Sequence, residues 1–123
     1  MHFTLETDAN RYIVTSYGLG WITVNKRELR QSLIVTPEVL VTDWTPHDIS
    51  DLEISHFEMV SQLAPEIILL GTGNKQRYLH PRLIRPLLVN GVGVEIMDTA
   101  AACRTYNITM LEGRKVAAAL FMI

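Results

Sequence analysis

Pro65-Glu66-Ile67-Ile68-Leu69-Leu70-Gly71-Thr72-Gly73 opens on a proline, runs through four consecutive apolar residues and closes on two glycines. An unbroken apolar run of this length, with no polar alternation, describes a strand covered on both faces, as in the interior of a parallel sheet. Just before it, Ser55 and Glu58 have the spacing of a capping box. The helix so started places Phe57, Val60, Ser61 and Ala64 on one face, with Met59 and Leu63 beside it, and Pro65 ends it. Just after it, Leu83, Ile84, Leu87 and Leu88 fall on one side of a second helical segment. Pro86 either starts that helix near Arg85 or kinks it, and Asn90-Gly91 is a stop. Val92-Gly93-Val94-Glu95-Ile96 reads as the next strand, Asp98 or Thr99 caps a helix over residues 100–106, and residues 115–123 form a last hydrophobic strand. Strand, helix, strand, helix, strand in short units implies right-handed crossovers.

The first third of the chain has another rhythm. Tyr12-Ile13-Val14-Thr15-Ser16 and Trp21-Ile22-Thr23-Val24 are short β runs separated by Gly18-Leu19-Gly20, and Asn25-Lys26 turns into a longer run from Glu28 to Val35. Pro37 stops it, and Val39-Leu40-Val41 is one more strand before Trp44. The expected class is therefore α/β: three layers, a mainly parallel sheet with crossover helices, and an N-terminal antiparallel β element packed on it. With 123 residues the chain fits a single domain, β-rich to about residue 44 and α/β from about residue 48. A chain of that size buries roughly two-thirds of its unfolded surface, enough for a core without metal or disulfide staples.

Composition excludes several classes of function. A net charge of −2 argues against a nucleic-acid binder, which carries a strongly basic face. Cys103 is the one cysteine, so no internal disulfide forms. Residues 1–8 lack the basic start and apolar run of a signal peptide, and the longest apolar run, residues 116–123, is too short to span a bilayer as a helix. The expected location is cytoplasmic.

Gly71-Thr72-Gly73-Asn74-Lys75-Gln76 is the most suggestive loop, because ligands collect at the carboxyl ends of strands in open α/β sheets. Its glycines would let backbone amides approach an anion, and Asp98 stands about where a dinucleotide fold places its ribose-binding acid. Gln76, however, occupies the place of the third glycine, and Pro81 comes too late for a helix to start at a phosphate. A parallel sheet would bring Gln76, Arg77, Thr99, Arg104 and Thr105 near that loop, where guanidiniums, hydroxyls and a helix N-terminus suit a phosphate or carboxylate. Glu95, a charge inside an apolar strand, needs a partner, for which Arg77, Arg104 and Arg114 are the candidates. The candidate ligand-binding set is thus Gly71, Thr72, Gly73, Gln76, Arg77, Glu95, Thr99 and Arg104. Each also has a plainer reading: a tight loop that needs its glycines for the turn, and Arg104 bridged to Asp98 or Glu112.

Cys103 lies within the helix, away from any histidine or first-turn amides, as a small packing residue does. His2, His47, His56 and His80 show no metal-ligand spacing. With no nucleophile elbow, Walker loop or His-Glu-x-x-His stretch, no catalytic residue is assigned, and neither cofactor nor metal is expected.

Several ordered blocks resemble a known family. They are Pro65 through Gly73 with Gln76-Arg77; Gly91-Val92-Gly93-Val94-Glu95-Ile96-Met97-Asp98-Thr99-Ala100-Ala101; Cys103-Arg104-Thr105-Tyr106-Asn107; and Glu112-Gly113-Arg114-Lys115-Val116-Ala117-Ala118-Ala119-Leu120. The sequence resembles the small bacterial and archaeal domain of unknown function whose mitochondrial relative is NADH dehydrogenase (complex I) assembly factor 3. A further animal relative is the adipogenesis-associated domain protein. The resemblance implies a three-layer fold with a β portion on an α/β unit. It also implies a non-enzymatic assembly role, with protein partners among membrane-complex subunits and a peripheral place at the inner membrane. No catalytic residue carries over. The expected contact surface is an exposed apolar or aromatic patch including Trp21, Tyr17 and Trp44, and an open edge of the β portion suits a homodimer. The rival expectation is a small-molecule or anion site, or an enzyme, at the strand ends.

Overall fold

A computed structural model describes residues 11–123; His2 and the residues around it lie outside the described part. Two sheets form. Strands β1 (Val14–Gly18), β2 (Trp21–Val24) and β3 (Arg27–Leu29) make an antiparallel meander in that order. Strands β4 (Leu33–Val35), β5 (Leu40–Val41), β6 (Ile67–Gly71), β7 (Gly93–Met97) and β8 (Val116–Leu120) make a five-stranded sheet of order β5-β4-β8-β6-β7. Among the described residues three α-helices accompany them, α1 (Ile54–Ser61), α2 (Arg85–Val89) and α3 (Thr99–Leu111), with short 3-10 turns at Ile49–Asp51 and Pro81–Leu83.

The architecture is three-layered α/β. The five-stranded sheet lies in the middle. Ile68, Leu70, Ala117 and Ala119 on one face pack with Phe57 and Val60 of α1 and Leu83 and Leu87 at α2. Leu69, Ala118 and Leu120 on the other pack with Cys103, Tyr106 and Met110 of α3 and with Ile22 and Val24 of the small sheet. The chain leaves β6 towards β7 through α2, then crosses back past β6 to β8 through α3. Reversing direction under a right-handed rule puts the two connections on opposite faces. β6 and β8, buried at every residue, take interior places, as their apolar runs require.

The sheet is mixed. β6 pairs in parallel with both β7 and β8, whereas β4 runs antiparallel to β8 and β5 antiparallel to β4. The long run from Glu28 to Val35 is not one strand: residues 30–32 break it, so that β3 ends the small sheet and β4 enters the large one. The capping box also lies two residues earlier than the sequence pattern suggests. Glu53 is the N-cap of α1, and its backbone N–H donates to Nδ1 of His56 at 3.0 Å. Pro86 sits at the start of α2, which begins at Arg85. Helix α3 runs to Leu111, five residues beyond the expected end. Asn107 holds it there against β1, accepting from Val14 N–H at 3.0 Å and donating to Val14 C=O at 2.7 Å.

Candidate functional site

The loop after β6 and the start of α3 meet at one rim of the sheet. Thr72 N–H donates to Met97 C=O at 2.9 Å, and Thr99 N–H donates to Gly73 C=O at 2.9 Å. Gly73 N–H donates to Thr99 Oγ1 at 2.8 Å, and that hydroxyl donates to Phe121 C=O at 2.7 Å. Thr72 Oγ1 donates to Lys75 C=O at 2.6 Å and accepts from Arg77 N–H at 3.2 Å. Asp98 caps α3 by accepting from Ala101 N–H at 2.8 Å. Gly71, Thr72, Gly73 and Thr99 are all buried; Gly73 and Thr99 bond to each other, Gly71 and Thr99 to Phe121 just after β8, and Thr72 to Met97, Lys75 and Arg77.

The need for glycine is steric here. A Cβ on Gly71 would lie 2.9 Å from Thr99 Oγ1 and 3.0 Å from Leu120 Cδ2. Gly73 has φ of 102°, a left-handed conformation, with Met122 C=O close by. The crevice between β6 and β8, where the winding of a doubly wound sheet reverses and ligands ordinarily sit, is lined by this chain's own Phe121 and Met122.

The remaining members of the set diverge. Gln76 is exposed and donates through Nε2 to Ile96 C=O at 3.1 Å. Arg77 pairs with Asp48 at 3.6 Å, both half in solvent; Ser50 and, less strongly, Arg77 hold the Asp48 carboxyl below the ordinary carboxylate range. Arg104 donates to Tyr17 Oη at 2.8 Å, tying α3 to the small sheet. It makes no bridge to Asp98 or Glu112 among the described residues. Arg114 pairs with Glu66 at 3.5 Å. Glu95 thus has none of its three expected partners, because β7 is an edge strand and leaves the carboxylate in solvent.

The expected aromatic patch needs correction. Trp44 is only 5% exposed and packs against Phe121 with ring centroids 5.4 Å apart. Trp21 folds over Gly18, where an added Cβ would meet its ring at 2.7 Å. Apolar surface is exposed elsewhere. Ile108 and Leu111, one turn apart on the outer side of α3, are 60% and 55% exposed. Leu88 and Val89 at the end of α2 are exposed as well. The sequence reading missed Ile108 and Leu111 because it ended α3 too early; their i, i+3 spacing was the available signal. Cys103 is buried within the core, which pushes its thiol up to about 12 and leaves no thiolate for chemistry near neutrality.

The chain matches the family described as protein of unknown function (DUF498/DUF598) over residues 14–121. The NADH dehydrogenase (ubiquinone) 1 alpha subcomplex assembly factor 3 of Mus musculus is 32% identical over 109 residues, covering 87% of this chain and 58% of the relative. The chain therefore spans less than two-thirds of that protein. The 13 kDa major membrane protein of Francisella tularensis subsp. holarctica is 34% identical over 101 residues, 81% of this chain and 82% of that one. Among solved structures, a Bordetella parapertussis protein superposes with a TM-score of 0.86 at 46% identity, covering 90% of this chain and 95% of that one. No helix among the described residues is long and apolar enough to cross a membrane. The match begins at the first residue of β1 and ends at Phe121, the residue Thr99 binds, so it takes in both sheets and the whole rim: the chain belongs to the DUF498/DUF598 family of proteins of unknown function.

Proposed function

We propose that this protein is a non-enzymatic interaction protein that aids the assembly of a respiratory or other membrane complex, working peripherally at the membrane surface. The observation that carries the reading is the apolar pair Ile108 and Leu111, left in solvent on a helix whose opposite face is buried. An exposed pair of this kind costs solubility and suits a partner that covers it. The relationship to an assembly factor supplies the class of partner. A pull-down from the native host under gentle solubilisation tests it. Recovery of respiratory or membrane-complex subunits, lost with Ile108→Asp, supports the reading; recovery of none contradicts it.

The alternative, a small-molecule or anion site at the strand ends using Gly71, Thr72, Gly73, Gln76, Arg77, Glu95, Thr99 and Arg104, is supported by the meeting of the two stretches at one rim. Against it stands the bonding already present: Gly73 and Thr99 hold each other and Thr99 holds Phe121, while Thr72 is taken up by Lys75, Met97 and Arg77. Thermal-shift screening with nucleotides, phosphates and carboxylates separates the two, since a bound ligand raises apparent stability by mass action.

A further inference from the structure

The opposite end of the sheet has a cleft of about 290 Å³, bounded by the β4–β5 turn, the end of α1 and the loop that enters β8. Its volume is at the small end of the roughly 300–1,000 Å³ typical of ligand pockets. Two kinds of surface meet in it. Val39 and the half-buried Leu63 give its accessible apolar surface, over the buried Met110 and Val116. Arg11, Arg114 and Lys115 bring three cations, against the single carboxylate of Glu38. In a chain of net charge −2 this local excess of positive charge runs against the overall balance.

The cations are not all engaged. Arg114 is held by Glu66 at 3.5 Å. Arg11, which lines the cleft, reaches Met110 C=O through Nη1 at 3.4 Å, and its remaining N–H groups meet no oxygen acceptor among the described residues. Lys115 and Glu38 make no ion pair among the described residues. Two backbone N–H groups of the cleft are already taken: Val39 N–H donates to Thr36 Oγ1 at 2.8 Å, and Lys115 N–H donates to Glu66 Oε1 at 3.0 Å. Recognition here therefore belongs to side chains, an apolar surface beside two available cations.

We propose that this cleft is a binding site for a small organic oxyanion, a short apolar body carrying one carboxylate or phosphate. The body lies on Val39 and Leu63, and the head meets Arg11 and Lys115. Glu38 opposes the head group and limits affinity.

Amide and side-chain NMR spectra of the intact chain, titrated with hexanoate, hexyl phosphate, hexanol and inorganic phosphate, test the assignment. Hexanoate and hexyl phosphate are expected to shift Val39, Ala64, Gly113 and Lys115 saturably, and the tighter of the two names the head group. Hexanol, lacking charge, should bind about tenfold more weakly, the worth of one charge-assisted contact. Arg11→Gln and Lys115→Gln should each weaken binding roughly three- to tenfold, and Glu38→Gln should strengthen it. Unchanged spectra away from the cleft show that each variant is folded. No saturable shift at the cleft overturns the proposal. So does hexanol binding as tightly as hexanoate, inorganic phosphate matching hexyl phosphate, or a Glu38→Gln variant that binds more weakly.

Discussion

Thr99 is fully buried, and its one hydroxyl serves two backbones: it accepts from Gly73 and donates to Phe121. Replacing it by valine keeps the shape but orphans a buried N–H and a buried C=O, each costing about 1–3 kcal/mol. Thr99→Val should therefore lose roughly 2–4 kcal/mol in urea denaturation, whereas Thr99→Ser keeps both bonds and most of the stability. The same residue shows how far the rim was legible. Sequence placed Gly71, Gly73 and Thr99 together correctly, because strand order and crossover length fix which loops are neighbours. It could not show that a neighbouring hydroxyl would fill the anion's place, since that depends on how closely β8's end approaches β6. Ligand-like residue types and a self-satisfied joint look alike in one dimension.

Among the elements, β7 is an open edge of the five-stranded sheet. Gly93 N–H and Met97 C=O point inward to Glu66 and Thr72, so Val94 and Ile96 point their backbone groups outward. Gln76 covers the outward carbonyl of Ile96, and Glu95 stands exposed at the centre of the strand. Antiparallel pairing of two such edges about their middle would set Glu95 against its own copy, a device that blunts edge-to-edge association. Gln76→Ala combined with Glu95→Thr should raise the self-association constant at least about tenfold in analytical ultracentrifugation. Helix α3 is the other instructive element. Asn107, Ile108 and Thr109 are poor helix formers, and local propensity ends the helix near Tyr106. Tertiary contact extends it: Asn107 clamps Val14, and Thr109 and Met110 are buried against the rest of the fold. The error hid the exposed pair on which the proposed function rests. Conversely, β6 was legible because burial on both faces leaves a signal in every residue of the strand.

For the molecule as a whole, two buried acids tie stability to pH on the alkaline side. Burial raises the Cys103 thiol from 9.0 to about 12, and burial likewise raises the Tyr106 phenol above its usual 10.0. In the unfolded chain both ionise near their ordinary values, while the fold holds both protons. Above about pH 9 the unfolded state thus binds fewer protons, and stability falls as pH rises. The fall should begin near the thiol's ordinary value, and Cys103→Ala should remove that first part while leaving the phenol's at higher pH. Urea midpoints measured from pH 7 upward check both.

The same whole-molecule view bears on function. One end of the sheet is closed by its own hydroxyls and by the residues after β8, and the outer side of α3 leaves Ile108 and Leu111 in solvent. A photo-crosslinking residue at position 108, compared with one at exposed Asp43, reads this out in living cells of the native host. Cross-links from position 108 to a respiratory or membrane-complex subunit, absent from position 43, are the predicted result. Equal labelling from both positions, or none to such a subunit from position 108, would contradict it.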